Sequence, residues 1–178
     1  FLQYGHKDWL EFYFKGLDYI LDLNKKGIFF IEFYAAMILS KILTSEGSKF
    51  VDLTSPAGIG IGAVVYNYDG DVYASDEGRM LAEMNDKKFK IGNVFENTYE
   101  EIFTSDKLLD PLEESYLGSV PMCHDCAFQP YCGSDPVYHY ATQGDYVGNK
   151  IKSEFCGRNM AIFKKLIDYI ENDEEVLG

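Results

Sequence analysis

Three of the four cysteines in this chain fall inside MCHDCAFQPYCGSDP, residues 122–136, and the fourth, Cys156, stands alone in SEFCGRN. The spacing is Cys123-x2-Cys126-x5-Cys132-x23-Cys156. A C-x2-C pair sets two thiolates on one tight turn, near enough to share a metal. Two further thiolates complete either a tetrahedral zinc site or the ligand set of a [4Fe–4S] cluster. Disulfides are the other structural use of four cysteines, but three pairings are open and the spacing selects none. Unlinked buried thiols are the remaining possibility. Metal ligation fits the clustering best, and spacing alone leans to zinc as the commoner structural metal.

Other residues near the thiols have plainer readings. His124 lies inside the C-x2-C turn and is expected to point outward or to donate a hydrogen bond, rather than to ligate. His139, in VYHYATQGD, reads as a packed or hydrogen-bonded histidine. Phe128 and Tyr131 would shield a metal from water. Gly133 and Gly144 serve turns. The glycines of GIGIG, residues 58–62, lead into a hairpin rather than into a helix, so they are no dinucleotide fingerprint.

The elements that must position these groups are readable from periodicity. Trp9, Leu10, Tyr13, Leu17, Ile20 and Leu21 recur at helical steps; Asp8 can cap this helix, and Gly27 suits its C′ position. A second helix is expected from about Phe29 to Leu43, apolar on most sides and so buried, with a loop at 44–49. IGAVVYNYDGDVYAS, residues 61–75, alternates and centres on Asp69-Gly70, a hairpin signal because glycine takes the positive φ that a tight turn requires. Asp76, Glu77 and Arg79 crowd the hairpin exit. A short extended piece, a Gly92-Asn93 turn and a short helix follow. Asn97 or Thr98 caps that helix, and Glu100 and Glu101 favour its first turn. A helix and loop are expected over 106–121. GRNMAIFKKLIDYIEN closes the chain as an amphipathic helix with Met160, Ile162, Phe163, Leu166, Ile167 and Ile170 on its apolar side. DEEV at the tail reads as a solvated acidic end. The fold class expected is α+β.

Bulk properties narrow the partners. The chain has 178 residues, 47% of them hydrophobic, enough to build a core without disulfide staples. A net charge of −13 repels phosphate, which disfavours nucleic acid and anionic membranes and suits a basic peptide. The longest apolar run, GIFFIEFYAAMILSKIL, is broken by Glu32 and Lys41 and reads as a buried helix rather than a membrane span. No signal peptide opens the sequence, so a reducing cytoplasm is the expected setting. The start at Phe1, close to a helix, suggests a piece of a longer protein.

The cysteine pattern, a distant cysteine before a helix, the YNYDGDVY hairpin and KIGNVFENTYEEIF together resemble the SPASM domain, the auxiliary-cluster domain of radical SAM enzymes that modify peptides. SPAGIGIG, YNYDGDVYASDEGRM and DCAFQPYCGSDPVYHYATQGD are most similar to the C-terminal region of the His-Xaa-Ser system radical SAM maturase. The resemblance covers about residues 50–170. It implies a helical segment 1–49 from the end of a radical SAM partial barrel and a SPASM-like domain 50–178.

The departures from that pattern are specific. The resemblance implies ligands for a first auxiliary cluster near residues 55–57, at 75 and at 136, where this chain has Ser55-Pro56-Ala57, Ser75 and Pro136. The set implied for the second cluster, Cys123, Cys126, Cys132 and Cys156, is complete. Losses confined to one set shift the expectation from zinc to a single [4Fe–4S] cluster. The C-x3-C-x2-C signature that binds S-adenosylmethionine is absent from the chain. S-adenosylmethionine would therefore belong to a catalytic half outside this sequence, a radical SAM core domain, and this chain alone would be inactive. By the same resemblance Asp76 is a candidate catalytic base; the plainer alternative is a solvated turn acid paired with Arg79. The function implied is engagement of a ribosomally made peptide substrate for oxidative modification. The rival is a zinc-stabilised protein- or peptide-interaction module with no catalytic activity. A secreted disulfide domain is a third reading.

Overall fold

The computed structural model describes residues 5–45 and 50–172. The elements run α1 (His6–Lys25), α2 (Phe33–Leu43), β1 (Val65–Tyr66), β2 (Asp71–Tyr73), α3 (Asp76–Glu83), β3 (Lys90–Asn93), α4 (Tyr99–Phe103), α5 (Asp106–Glu114), α6 (Pro136–Gln143) and α7 (Glu154–Asn172). They form two compact units, residues 1–48 with 150–178, and residues 49–149. The architecture is α+β, helices with one three-stranded antiparallel sheet. No described helix is long and apolar enough to cross a membrane. The acidic tail and part of the loop expected at 44–49 lie outside the described residues.

In the first unit α1 and α2 pack on α7. Leu10 and Leu17 of α1, Ala35 and Ile38 of α2, and Phe155, Ile162, Phe163 and Leu166 of α7 are buried. Two expectations hold only in part. Asp8 caps α1 from the third helical position, accepting the Gly5 amide at 3.3 Å, while Gly5 itself is the N-cap. The helix stops as expected, with Gly27 at φ +77° and its amide on the Asn24 carbonyl. On α7, Met160, Ile167 and Ile170 are only half-buried, and the polar-tipped Asn159 and Tyr169 take buried places instead.

The second helix differs more. It starts at Phe33 rather than Phe29, because Glu32 turns its carboxylate back onto the Tyr34 and Ala35 amides and fixes the N-terminus there. It is also not buried all round. Phe29 is 80% exposed and Phe33 74%, and only Ala35 and Ile38 are buried. The segment before it is pinned by Asn24, whose side chain exchanges hydrogen bonds with the backbone of Phe30 at 3.0 and 2.7 Å. Tyr13 donates to Glu32 at 2.5 Å, and burial together with that carboxylate pushes its phenol far above the usual tyrosine range.

In the second unit the sheet order is β1-β2-β3. Val65 faces Tyr73 and Tyr66 faces Val72 across the hairpin; Asp71 faces Asn93 across the other pairing. Gly70 carries φ +82° at the turn, and an added Cβ would meet the Phe95 ring at 2.5 Å. Glycine is therefore required there twice over. Val72, Ala74, Phe89, Ile91, Ile102, Leu108, Leu112 and Val137 share one core. Gly92 and Asn93 belong to strand β3, not to a turn; the chain turns after them. Thr98 caps α4 in a reciprocal box with Glu101, at 3.3 and 2.8 Å. Two helices escaped the periodicity reading. α3 begins where Ser75 accepts the Gly78 amide at 3.1 Å, and α6 begins at Asp135-Pro136 and ends at Gly144, φ +74°.

Candidate functional site

The cysteine loop is a succession of backbone turns. The Cys123 amide donates to Val120, Cys126 to Cys123, Gln129 to Cys126, Tyr131 to Phe128 and Cys132 to Gln129, at 2.9 to 3.3 Å. Cys123 and Cys126 thus sit on one turn, as the C-x2-C spacing requires. Cys132 follows a short 3-10 turn, Gln129–Tyr131, and its thiol donates to the Gly133 carbonyl at 3.2 Å. Gly133 is held against Asp52 so closely that a Cβ would fall 2.1 Å from the Asp52 carbonyl oxygen. That contact ties the third cysteine to the 3-10 turn Val51–Leu53 of the same unit.

Cys156 lies inside the first turn of α7 rather than before the helix. Its amide donates to the Ser153 hydroxyl at 3.2 Å, and the Gly157 amide bonds the Ser153 carbonyl at 3.0 Å. The first turn of a helix favours an anionic ligand. All four cysteines are half-buried thiols.

The donor set fits an iron–sulfur cluster in its chemistry. Four soft thiols are the ligands such a cluster takes. Two buried donors near Cys156 in sequence, Arg158 Nε and Asn159 Nδ2, lack a hydrogen-bond partner, but the Arg158 guanidinium lies over the Trp9 and Phe155 rings and Asn159 accepts from Tyr34, so both belong to the packing of the first unit. Geometric convergence is a separate matter. Among the described residues no three His, Cys, Asp or Glu side chains gather closely enough to hold a metal.

The neighbouring side chains fall as their types dictate. His124 is exposed and its Nε2 is 2.8 Å from Asp125. His139 is fully buried, and its Nδ1 is 2.6 Å from the Asp135 carbonyl. A carbonyl oxygen only accepts, so Nδ1 carries the proton. Gly148 packs on that ring, where a Cβ would be 2.6 Å from Cδ2. Phe128 and Tyr131 are half-buried beside the cysteines.

Asp76 occupies the first position of α3, exposed, with Arg79 Nε on its Oδ1 at 3.1 Å. It borders a cavity of about 140 Å³ together with Asp52, Ala57, Ser75, Asp135 and Pro136. Asp76 therefore both makes the plain ion pair with Arg79 and faces a pocket. The pairing was legible from the i, i+3 spacing; the pocket was not.

A buried acid beneath the hairpin went unread in the sequence. Asp71 is 4% exposed. It accepts from Asn93 Nδ2 at 2.8 Å and Lys87 Nζ at 3.0 Å, and it pairs with Lys90. Burial alone would raise its carboxyl. The hydrogen bonds from Lys90, Asn93 and Lys87 outweigh burial and hold it well below the usual carboxylate range. The signal available was an aspartate directly after the turn glycine with one lysine ahead of β3 and another at its first position, which alternation alone does not single out.

Residues 59–127 match the model of the SPASM family, described as an iron-sulfur cluster-binding domain. No curated protein matches the chain. Among solved structures it is similar to native anSMEcpe with bound AdoMet and Cp18Cys peptide, at 17% identity and TM-score 0.65, covering 96% of this chain and 45% of that one. The same protein with Kp18Cys peptide gives 18% identity and TM-score 0.64, covering 96% and 44%. A His6-tagged form with AdoMet gives 16% and 0.62, covering 97% and 44%. This chain thus spans less than half the length of the structures it matches, and what it shares with them is an α+β, SPASM-like fold.

Proposed function

We propose that this chain is the auxiliary-cluster, substrate-engaging part of a radical SAM peptide maturase of the His-Xaa-Ser system type, acting in the cytoplasm. Cys123, Cys126, Cys132 and Cys156 ligate one [4Fe–4S] cluster. The observation that carries the reading is that residues 59–127, which include Cys123 and Cys126, match an iron-sulfur cluster-binding family, and Cys132 and Cys156 bring the thiols to the four that a cluster takes. The fold likeness to anSMEcpe structures holding AdoMet and a peptide supports a peptide partner.

When bound, the cluster supplies an electron acceptor and a structural centre for the loop. The protein's own contributions are separable from it. The turns of 120–132 present the thiols, Phe128 and Tyr131 limit water, and the Ser153 cap fixes the start of α7 under Cys156. Asp76, at the pocket rim, is the candidate group to take a proton from substrate. S-adenosylmethionine is handled by a catalytic core domain supplied from outside residues 1–178. In this division residues 1–49 complete that core and residues 50–178 form the auxiliary domain.

Anaerobic purification tests the reading directly. A brown protein with broad visible absorption and about four irons and four sulfides per chain is expected. A colourless protein carrying one zinc and no iron would establish the interaction-module alternative instead.

A further inference from the structure

Three positions that lack a thiol in the sequence come together in space. Ala57 precedes the hairpin, Ser75 ends it, and Pro136 opens α6, so they arrive from three separate parts of the chain. All three line the same cavity of about 140 Å³. Of the Ser55-Pro56-Ala57 stretch it is Ala57 that takes part; Ser55 is committed elsewhere, its hydroxyl accepting the Leu117 amide at 2.9 Å.

We infer that this cavity, where the resemblance places the ligands of a first auxiliary cluster, cannot hold one: a methyl, a hydroxyl and a ring stand at the three positions. None of the three can ligate iron there. Ala57 and Pro136 have no donor atom in their side chains, and the Ser75 oxygen is occupied as the cap of α3. The carboxylates at the rim are hard oxygen donors. Asp135 is spent on the Val137 and Tyr138 amides at 2.9 and 3.0 Å, and Asp76 on Arg79. Iron–sulfur centres select soft thiolates, so this donor set does not fit one. The surrounding core does not need one either. Ala57 of its lining belongs to the same buried cluster as Val72, Ala74, Phe89 and Val137. The hairpin unit therefore holds its shape by burial, and the chain's capacity is one cluster, not two. This rests on the proposal above only for the identity of the metal.

The test restores the thiols in the full chain. After anaerobic reconstitution the wild type should carry about four irons, and the Ala57→Cys/Ser75→Cys/Pro136→Cys variant about twice that. Because Ser75 caps a helix, a double variant, Ala57→Cys/Pro136→Cys, keeps that cap and is titrated with cobalt(II). It should bind one equivalent more than the wild type with new thiolate-to-cobalt absorption. A wild type carrying about eight irons would overturn the inference. So would a folded double variant that takes up no more cobalt than the wild type. The cobalt readout compares variants and needs no iron, so it stands even if the wild type proves iron-free, which would sink only the iron–sulfur reading.

Discussion

Replacing Asp71 with asparagine changes one charge at nearly constant shape and probes what holds the hairpin unit together. The carboxylate is buried, with Asn93, Lys87 and Lys90 as donors. Removing one partner of a fully buried ion pair costs roughly 3–5 kcal/mol, because the other charge is stranded. Here the lysines are not stranded: the Lys87 side chain is 56% exposed and that of Lys90 26%. The loss therefore falls toward that of one charge-assisted hydrogen bond, about 2 kcal/mol at neutral pH. For a chain of this length that corresponds to a Tm lower by about 4–8 °C. The pH dependence gives a sharper signature. The folded carboxyl lies below its unfolded value, so its stabilisation is complete above about pH 4 and drains as pH falls through the folded value. The wild type should thus lose its advantage over Asp71→Asn as the solution is acidified below that point. Urea denaturation followed by circular dichroism measures the gap, and hydrogen exchange over residues 65–93 locates it. A variant as stable as the wild type at neutral pH would refute the reasoning, as would a gap that persists undiminished to about pH 2.

Gly70→Ala should destabilise the hairpin by about 1–2 kcal/mol for the left-handed backbone alone, with more from displacing Phe95, read by chemical denaturation. Gly133→Ala should cost about 3 kcal/mol, since its new methyl meets backbone at Asp52 rather than a movable side chain; loss of exchange protection at 50–54 and 130–136 checks it. Cys132→Ala should abolish iron binding and remove protection across 120–156 while the hairpin at 65–93 keeps its own. An unchanged melting temperature with metal still bound would count against the four-cysteine site.

The fold was legible where a local rule decides it. Gly27 and Gly70 take the positive φ their neighbours demand, and Thr98 with Glu101 makes the capping box their spacing announces. It was not legible where a side chain overrode periodicity. The apolar run from Phe29 looks helical throughout, but Glu32 caps the helix and leaves residues 29–32 outside it. α3 and α6 are each eight residues long, barely two turns, too short for an apolar repeat to establish itself. Their starts were nonetheless written in Ser75 and in Asp135-Pro136, since cap residues carry more information than periodicity at that length.

The candidate site divides along the same line, and the division bears on what the chain can do. Thiols advertise themselves: spacing alone puts Cys123 and Cys126 on one turn, because a C-x2-C segment has few ways to fold. A pocket does not, because nothing in the separate surroundings of Ala57, Ser75 and Pro136 requires them to meet. Only packing of the hairpin exit against the start of α6 brings them together. On the one-cluster proposal the hairpin unit must fold without a metal of its own. The buried Asp71 network and the Phe89-centred core provide that independence, so metal removal should loosen the cysteine loop and leave the hairpin standing.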